Sequence, residues 1–136
     1  MPSVVRHLFL LAAIGWAAVL YYLSDQPGIG IPPLFIGQDK LFHAGVYSVL
    51  GFLVMGAIKP AGHEHSQGQI LLAAGLAAAY GLLDEFHQYF VPGRSADTFD
   101  VIADMAGGIL GALLMFVIVR RLGLSSSSLQ GRKIAE

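Results

Sequence analysis

The chain contains no cysteine, which excludes disulfides, thiolate catalysis and cysteine-ligated zinc, and leaves oxygen and nitrogen as the only donors for any metal. Charge is scarce too. Asp, Glu, Lys and Arg make up 12% of the 136 residues, about half the usual share of a soluble domain. The 8 Lys and Arg are dispersed and the net charge is −1, so there is no phosphate-neutralising patch and no nucleic acid partner is expected. The sequence also lacks an internal repeat, a nucleophile elbow and a defined metal box.

What is abundant is apolar length. Hydrophobic residues reach 55% of the chain and mean hydropathy is +0.66. Leu8 to Leu23 carries no charge, Leu41 to Ile58 only His43, and Val101 to Val119 only Asp104; each is close to the ~20 residues that span a bilayer. Ile70 to Leu83 is shorter, but read as helix through Asp84 to Val91 it makes a fourth span with a polar end. Backbone at membrane depth must satisfy its own hydrogen bonds. The expected fold is therefore all-α, a four-helix transmembrane bundle over residues 1–122, with a Ser-rich, disordered cytoplasmic tail over 123–136. Arg6 before the first apolar run resembles the start of a signal peptide, but Tyr21-Tyr22-Leu23-Ser24 lacks the small-residue pattern that cleavage requires, so the run is read as a retained helix. Ser24 to Gln38 holds Pro27, Pro32 and Pro33 beside Ile29, Ile31, Leu34 and Phe35. It is too broken for helix and too apolar for free solution, and is expected to lie as an outer interfacial loop. Lys59 to Gln69 reads as a polar loop; its His63-Glu64-His65 is a weak metal motif that is more often simply solvated.

With four spans, Arg6, Lys59, Arg120, Arg121, Arg132 and Lys133 fall on one side against Lys40 and Arg94 on the other. The basic excess predicts that both termini are cytoplasmic. Most acids then gather at the outer end.

Residues three, four, seven and eight apart share a helix face. Asp39, His43 and Tyr47 line one face of the second helix; Tyr80, Asp84, His87 and Gln88 line one face of the third, with Glu85 beside them. Pro92-Gly93 signals a turn, after which Asp97 suits an N-cap and Asp100 the first helical turn. Each group has a plainer reading: Asp39 as a helix cap, Lys40 as a snorkelling side chain, His43 as an interhelical bond, Asp84-Glu85 as the point where a helix leaves the membrane. Capping does not reach Asp104, one turn deeper than Asp100. Asp104 needs a cation, a proton or a donor, and Arg94, Lys40 and His43 are the candidates. Arg94, the one basic residue near the outer ends of the third and fourth helices, is expected to pair with a carboxylate there. Below Asp104, Gly107 and Gly111 form a Gly-x-x-x-Gly pattern that either packs helices within the bundle or joins two copies into a homo-oligomer.

Three stretches in order, Asp39-Lys40-x-x-His43-x-x-x-Tyr47, Asp84-Glu85-x-x-Gln88-x-x-x-Pro92-Gly93-Arg94-Ser95 and Asp97-x-x-Asp100-x-x-x-Asp104-x-x-Gly107, resemble the VanZ-like family of bacterial integral membrane proteins, as does Ser24-x-Gln26-Pro27. The resemblance covers about Leu20 to Leu114. It implies the bacterial cytoplasmic (inner) membrane as the setting and a link to glycopeptide (teicoplanin) resistance, and it implies no reaction.

The residues support two functions. In one, a polar pocket in the outer leaflet recognises a lipid or cell-wall precursor head group through Asp39, Lys40, Tyr47, Gln88, Arg94, Asp97 and Asp100. In the other, the chain is a membrane-embedded enzyme acting on a lipid-linked or phosphorylated envelope substrate, with His43, Asp84, Glu85 and Asp104 as its catalytic groups and a divalent metal at Asp84, Glu85, Asp100 and Asp104. The inner halves of the spans are apolar, which favours a one-sided site over a path through the membrane.

Overall fold

The computed structural model describes residues 1–27, 34–58 and 66–122. The tail, the His63-Glu64-His65 motif and the middle of the expected interfacial loop lie outside these residues. Four α-helices hold most of the rest, α1 (Ser3–Ser24), α2 (Gln38–Ala57), α3 (Gln67–Gln88) and α4 (Thr98–Arg121), and no strand occurs among the described residues. Each helix outruns its apolar stretch, because polar residues at the ends still close backbone hydrogen bonds. At 1.5 Å per residue the four are about 30–36 Å long, and all are long and apolar enough to cross a membrane.

Local sequence sets the ends. Gly37 takes a left-handed φ of 84°, letting the chain turn sharply into α2. Ser66 caps α3, its backbone N–H donating to the Gln69 side chain at 2.8 Å. Asp97 caps α4 by accepting from the Phe99 N–H at 2.8 Å.

The helices alternate in direction. The start of α1, the end of α2, the start of α3 and the end of α4 meet in an apolar cluster of Met55, Ala73, Ala112, Met115 and Val119, with Phe9 and Ile70 against it. The opposite ends gather the polar residues. Leu11, Ile14, Leu71, Phe86, Ile102 and Leu110 stand exposed around the bundle, an apolar belt that water would penalise and lipid would not.

The closest seam joins α2 and α4. Gly51 faces the backbone of Gly108, Gly107 faces the carbonyl of Ala44, and Gly111 faces the carbonyl of Ser48; a Cβ at any of the three would overlap those atoms. The Gly-x-x-x-Gly face is thus covered by the chain's own second helix, the within-bundle alternative of the two that Gly107 and Gly111 offered. Among the described residues α1 touches α2 and, more lightly, α3, but not α4. Two polar clips hold it: Trp16 Nε1 donates to the Val46 carbonyl at 2.9 Å, and the Tyr80 hydroxyl donates to the Ala17 carbonyl at 2.6 Å.

Candidate functional site

The α2–α4 seam decides which polar residues meet. Because α2 begins just after Gly37, Lys40, His43 and Tyr47 fall on the face that α4 approaches, and α4 begins early enough to put Asp100 and Asp104 opposite them. Two layers result. At the rim, the Lys40 ammonium lies among three carboxylates, 3.0 Å from Asp39, 2.7 Å from Asp100 and in direct contact with Asp97. This ammonium, helped by the Phe99 N–H, holds the Asp97 carboxyl below its ordinary 3.8. One turn deeper, His43 Nδ1 is 2.9 Å from Asp104 Oδ1, while its Nε2 is 3.9 Å from Asp100. Of the three candidate partners for Asp104, His43 is therefore the one in place.

From α3, Glu85 reaches across and accepts the Asp97 N–H at 2.9 Å, tying the end of α3 to the cap of α4. Asp84 accepts from its neighbour one turn on, Gln88, at 3.1 Å. Asp84, Gln88, His43, Tyr47, Ser24 and Arg94 line a cavity of about 70 Å³, room for about two waters. Asp104 is fully buried and Glu85 is 3% exposed.

Four buried oxygens at this end have no hydrogen-bond partner among the described residues: Ser24 Oγ, Tyr47 OH, Glu85 Oε1 and Asp104 Oδ2. An unpaired buried polar atom costs ~1–3 kcal/mol and more when charged, so these oxygens call for water or a ligand to satisfy them.

The expected residues are brought together unevenly. Asp39, Lys40, His43, Glu85, Asp97, Asp100 and Asp104 form one connected group across α2, α3 and α4, with Asp39 at its exposed edge. Asp84, Tyr47 and Gln88 sit at the neighbouring cavity. The expected metal set is regrouped: Asp84 bonds to Gln88 and Asp100 to Lys40, whereas His43, Glu85 and Asp104 converge. Arg94 departs from its expectation. Its Nη2 donates to the Leu23 carbonyl at 2.9 Å and its Nε to the Gln26 carbonyl at 3.2 Å, and no carboxylate lies within ion-pair distance of it among the described residues. It closes the C-terminal end of α1, where unpaired carbonyls and the negative end of the helix dipole attract a cation. Lys40 takes the carboxylates instead.

Gly81 was not among the expected site residues. A Cβ there would lie 2.6 Å from Asp104 Oδ2 and 2.8 Å from Asp104 Cβ, so the glycine is the space that Asp104 occupies. Its signal was positional: Gly81, Glu85 and Gln88 share a helical face, and a small residue at the deep end of a polar stripe marks where a partner side chain enters. Ser24, from the Ser24-x-Gln26-Pro27 stretch of the family resemblance, is buried at 4% exposure with its hydroxyl unpaired among the described residues.

A family model described as VanZ/LLP1 matches residues 9–120, which include every residue of this site. No curated protein and no solved structure matches the chain.

Proposed function

The chain belongs to the VanZ/LLP1 family, and from that premise we propose that it is a bacterial inner-membrane protein, termini cytoplasmic, whose polar end faces outward and recognises the head group of an envelope lipid or lipid-linked cell-wall precursor. The observation that carries this reading is the set of four buried, unpartnered oxygens around the small cavity and the α2–α4 cluster. A lipid ligand suits the surroundings. Beside the cluster, Leu82, Phe86, Tyr89 and Val101 line an apolar groove between α3 and α4 of about 420 Å³, with Glu85 and Asp97 at its polar end. A hydrocarbon chain in that groove delivers its head group to Glu85. Such a site also gives the family's link to teicoplanin resistance a physical route, because a protein that holds a precursor's head group changes how much of it is free at the outer surface.

The test uses purified protein in phosphatidylcholine nanodiscs with graded undecaprenyl phosphate. The expected result is a rise in Tm that saturates with the added lipid and is lost in Gln88→Ala. An unchanged Tm at every lipid fraction overturns the reading for this lipid class.

A second reading, catalysis, is favoured by one contact. Asp104 is fully buried and bonded to His43 at 2.9 Å, an arrangement that orients an imidazole to move a proton. Release of inorganic phosphate from a polyprenyl diphosphate, abolished in His43→Gln, would establish it.

A further inference from the structure

His43 on α2, Glu85 on α3 and Asp104 on α4 each present one ligand atom such that all three atoms lie within 4.8 Å of one another. A first-row divalent cation about 2.1 Å from each ligand keeps them within about 4.2 Å, so a small inward movement of side chains completes the contact. We propose that these three residues hold one divalent cation of the Zn²⁺ or Mn²⁺ class. The inference stands on this geometry and holds whether or not the head-group reading does.

The orphaned atoms point the same way. Glu85 Oε1 and Asp104 Oδ2 are buried without a partner, while the other oxygen of each is fixed, Glu85 Oε2 by the Asp97 N–H and Asp104 Oδ1 by His43. Glu85 is thus oriented through one oxygen by a group outside the proposed set and free through the other, the arrangement that outer partners give to metal-binding carboxylates, while Asp104 is held against His43, its neighbour within the set. Among the described residues at this end no basic side chain is left to serve them. Lys40 is committed to Asp39, Asp97 and Asp100, and Arg94 to backbone carbonyls.

The molecule holds its own comparison. Asp39, Asp97 and Asp100 present ligand atoms equally close together, but the Lys40 ammonium already lies among them; that cluster has its cation covalently supplied. The deeper one contains a histidine in place of a carboxylate and no ammonium. One nitrogen and two carboxylate oxygens suit Zn²⁺ or Mn²⁺ better than Ca²⁺, which collects six to eight oxygens, or Mg²⁺, which is reluctant to shed water. Three protein ligands leave coordination positions open, as in catalytic sites, and His43 borders the cavity from which water would fill them.

The experiment is a titration of the EDTA-stripped full chain in detergent with ZnCl₂ and, separately, MnCl₂. Bound metal per chain after gel filtration and Tm are the readouts. Wild type is expected to retain one cation per chain and gain Tm, with smaller gains from Mg²⁺ and Ca²⁺. Glu85→Gln preserves the oxygen that accepts the Asp97 N–H, so it should fold and bind at least ~10-fold more weakly; Asp104→Asn should do the same. Gly81→Ala keeps all three ligands but displaces Asp104, and should also lose the metal. Asp25→Asn, and His63→Ala with His65→Ala, should bind as wild type does. Failure of wild type to retain stoichiometric metal overturns the proposal. Wild-type binding by Glu85→Gln, or loss of metal in the His63, His65 double variant, places the cation elsewhere and overturns it equally.

Discussion

Lys40 is the residue on which the rim of the site depends. Without its ammonium, Asp97 and Asp100 face each other across the first turn of α4 with only the helix N-terminus to offset them. Lys40→Met keeps the apolar stem and removes the charge, so it should lower Tm more than Arg94→Ala, whose loss costs backbone hydrogen bonds worth about 1 kcal/mol. The reverse order in a thermal melt would make Arg94 the principal cation after all. The Asp97 contact adds a pH signature. Its carboxyl titrates below its ordinary 3.8, so its stabilisation is fully present above that value and disappears as pH falls through the lower, folded-state pKa. The Tm gap between wild type and Asp97→Asn should be open above the ordinary carboxylate value and close as pH falls below it; a gap independent of pH removes the ion pair from the account. Spacing along α2 placed Asp39, His43 and Tyr47 on one face, but nothing in the sequence decided between Lys40 and Arg94 as the cation of the site. That choice depends on the α2–α4 distance and on Arg94 turning toward α1, both tertiary facts.

At the scale of helices, glycine does the positioning. Gly107 and Gly111 bring α4 so close to α2 that side chains at the polar end have only short spans to bridge. Gly111→Leu must push the seam apart against the Ser48 carbonyl. It should destabilise the protein by about 1–3 kcal/mol or more and loosen the His43–Asp104 pair, seen as lower Tm with the helical circular dichroism unchanged at low temperature. A wild-type melt would show that the seam yields easily. The pattern itself was legible in the sequence, because small residues four apart on an apolar helix mean close approach. Its partner was not, since a second copy and a second helix present the same glycine-compatible surface. Helix ends were legible where chemistry marks them, at Pro92-Gly93 and Asp97, whereas apolar length alone marks no end: α2 begins at Gln38, ahead of its apolar run from Leu41.

For the whole molecule, hydropathy and spacing read out the four spans and the clustering of acids at one end, because both follow from transfer energies that each residue carries with it. The proposed direction in the membrane rests on the basic excess alone. The cysteine-free chain lends itself to the check: Leu34→Cys should react with an impermeant maleimide added to intact cells, and Ser126→Cys only after lysis. Labelling in the opposite order inverts the molecule and turns the site toward the cytoplasm.

The division of the polar cluster between α2 and α4 also has a consequence in time. The chain is made from its N-terminus, so Lys40 and His43 leave the ribosome before Asp97, Asp100 and Asp104 exist. Until α4 arrives, Lys40 has only its neighbour Asp39 on the second helix, and His43 lacks the Asp104 partner. The polar cluster is therefore completed only by the last helix to be made: a chain stopped before α4 would leave Lys40 and His43 without the carboxylates that Asp97, Asp100 and Asp104 bring.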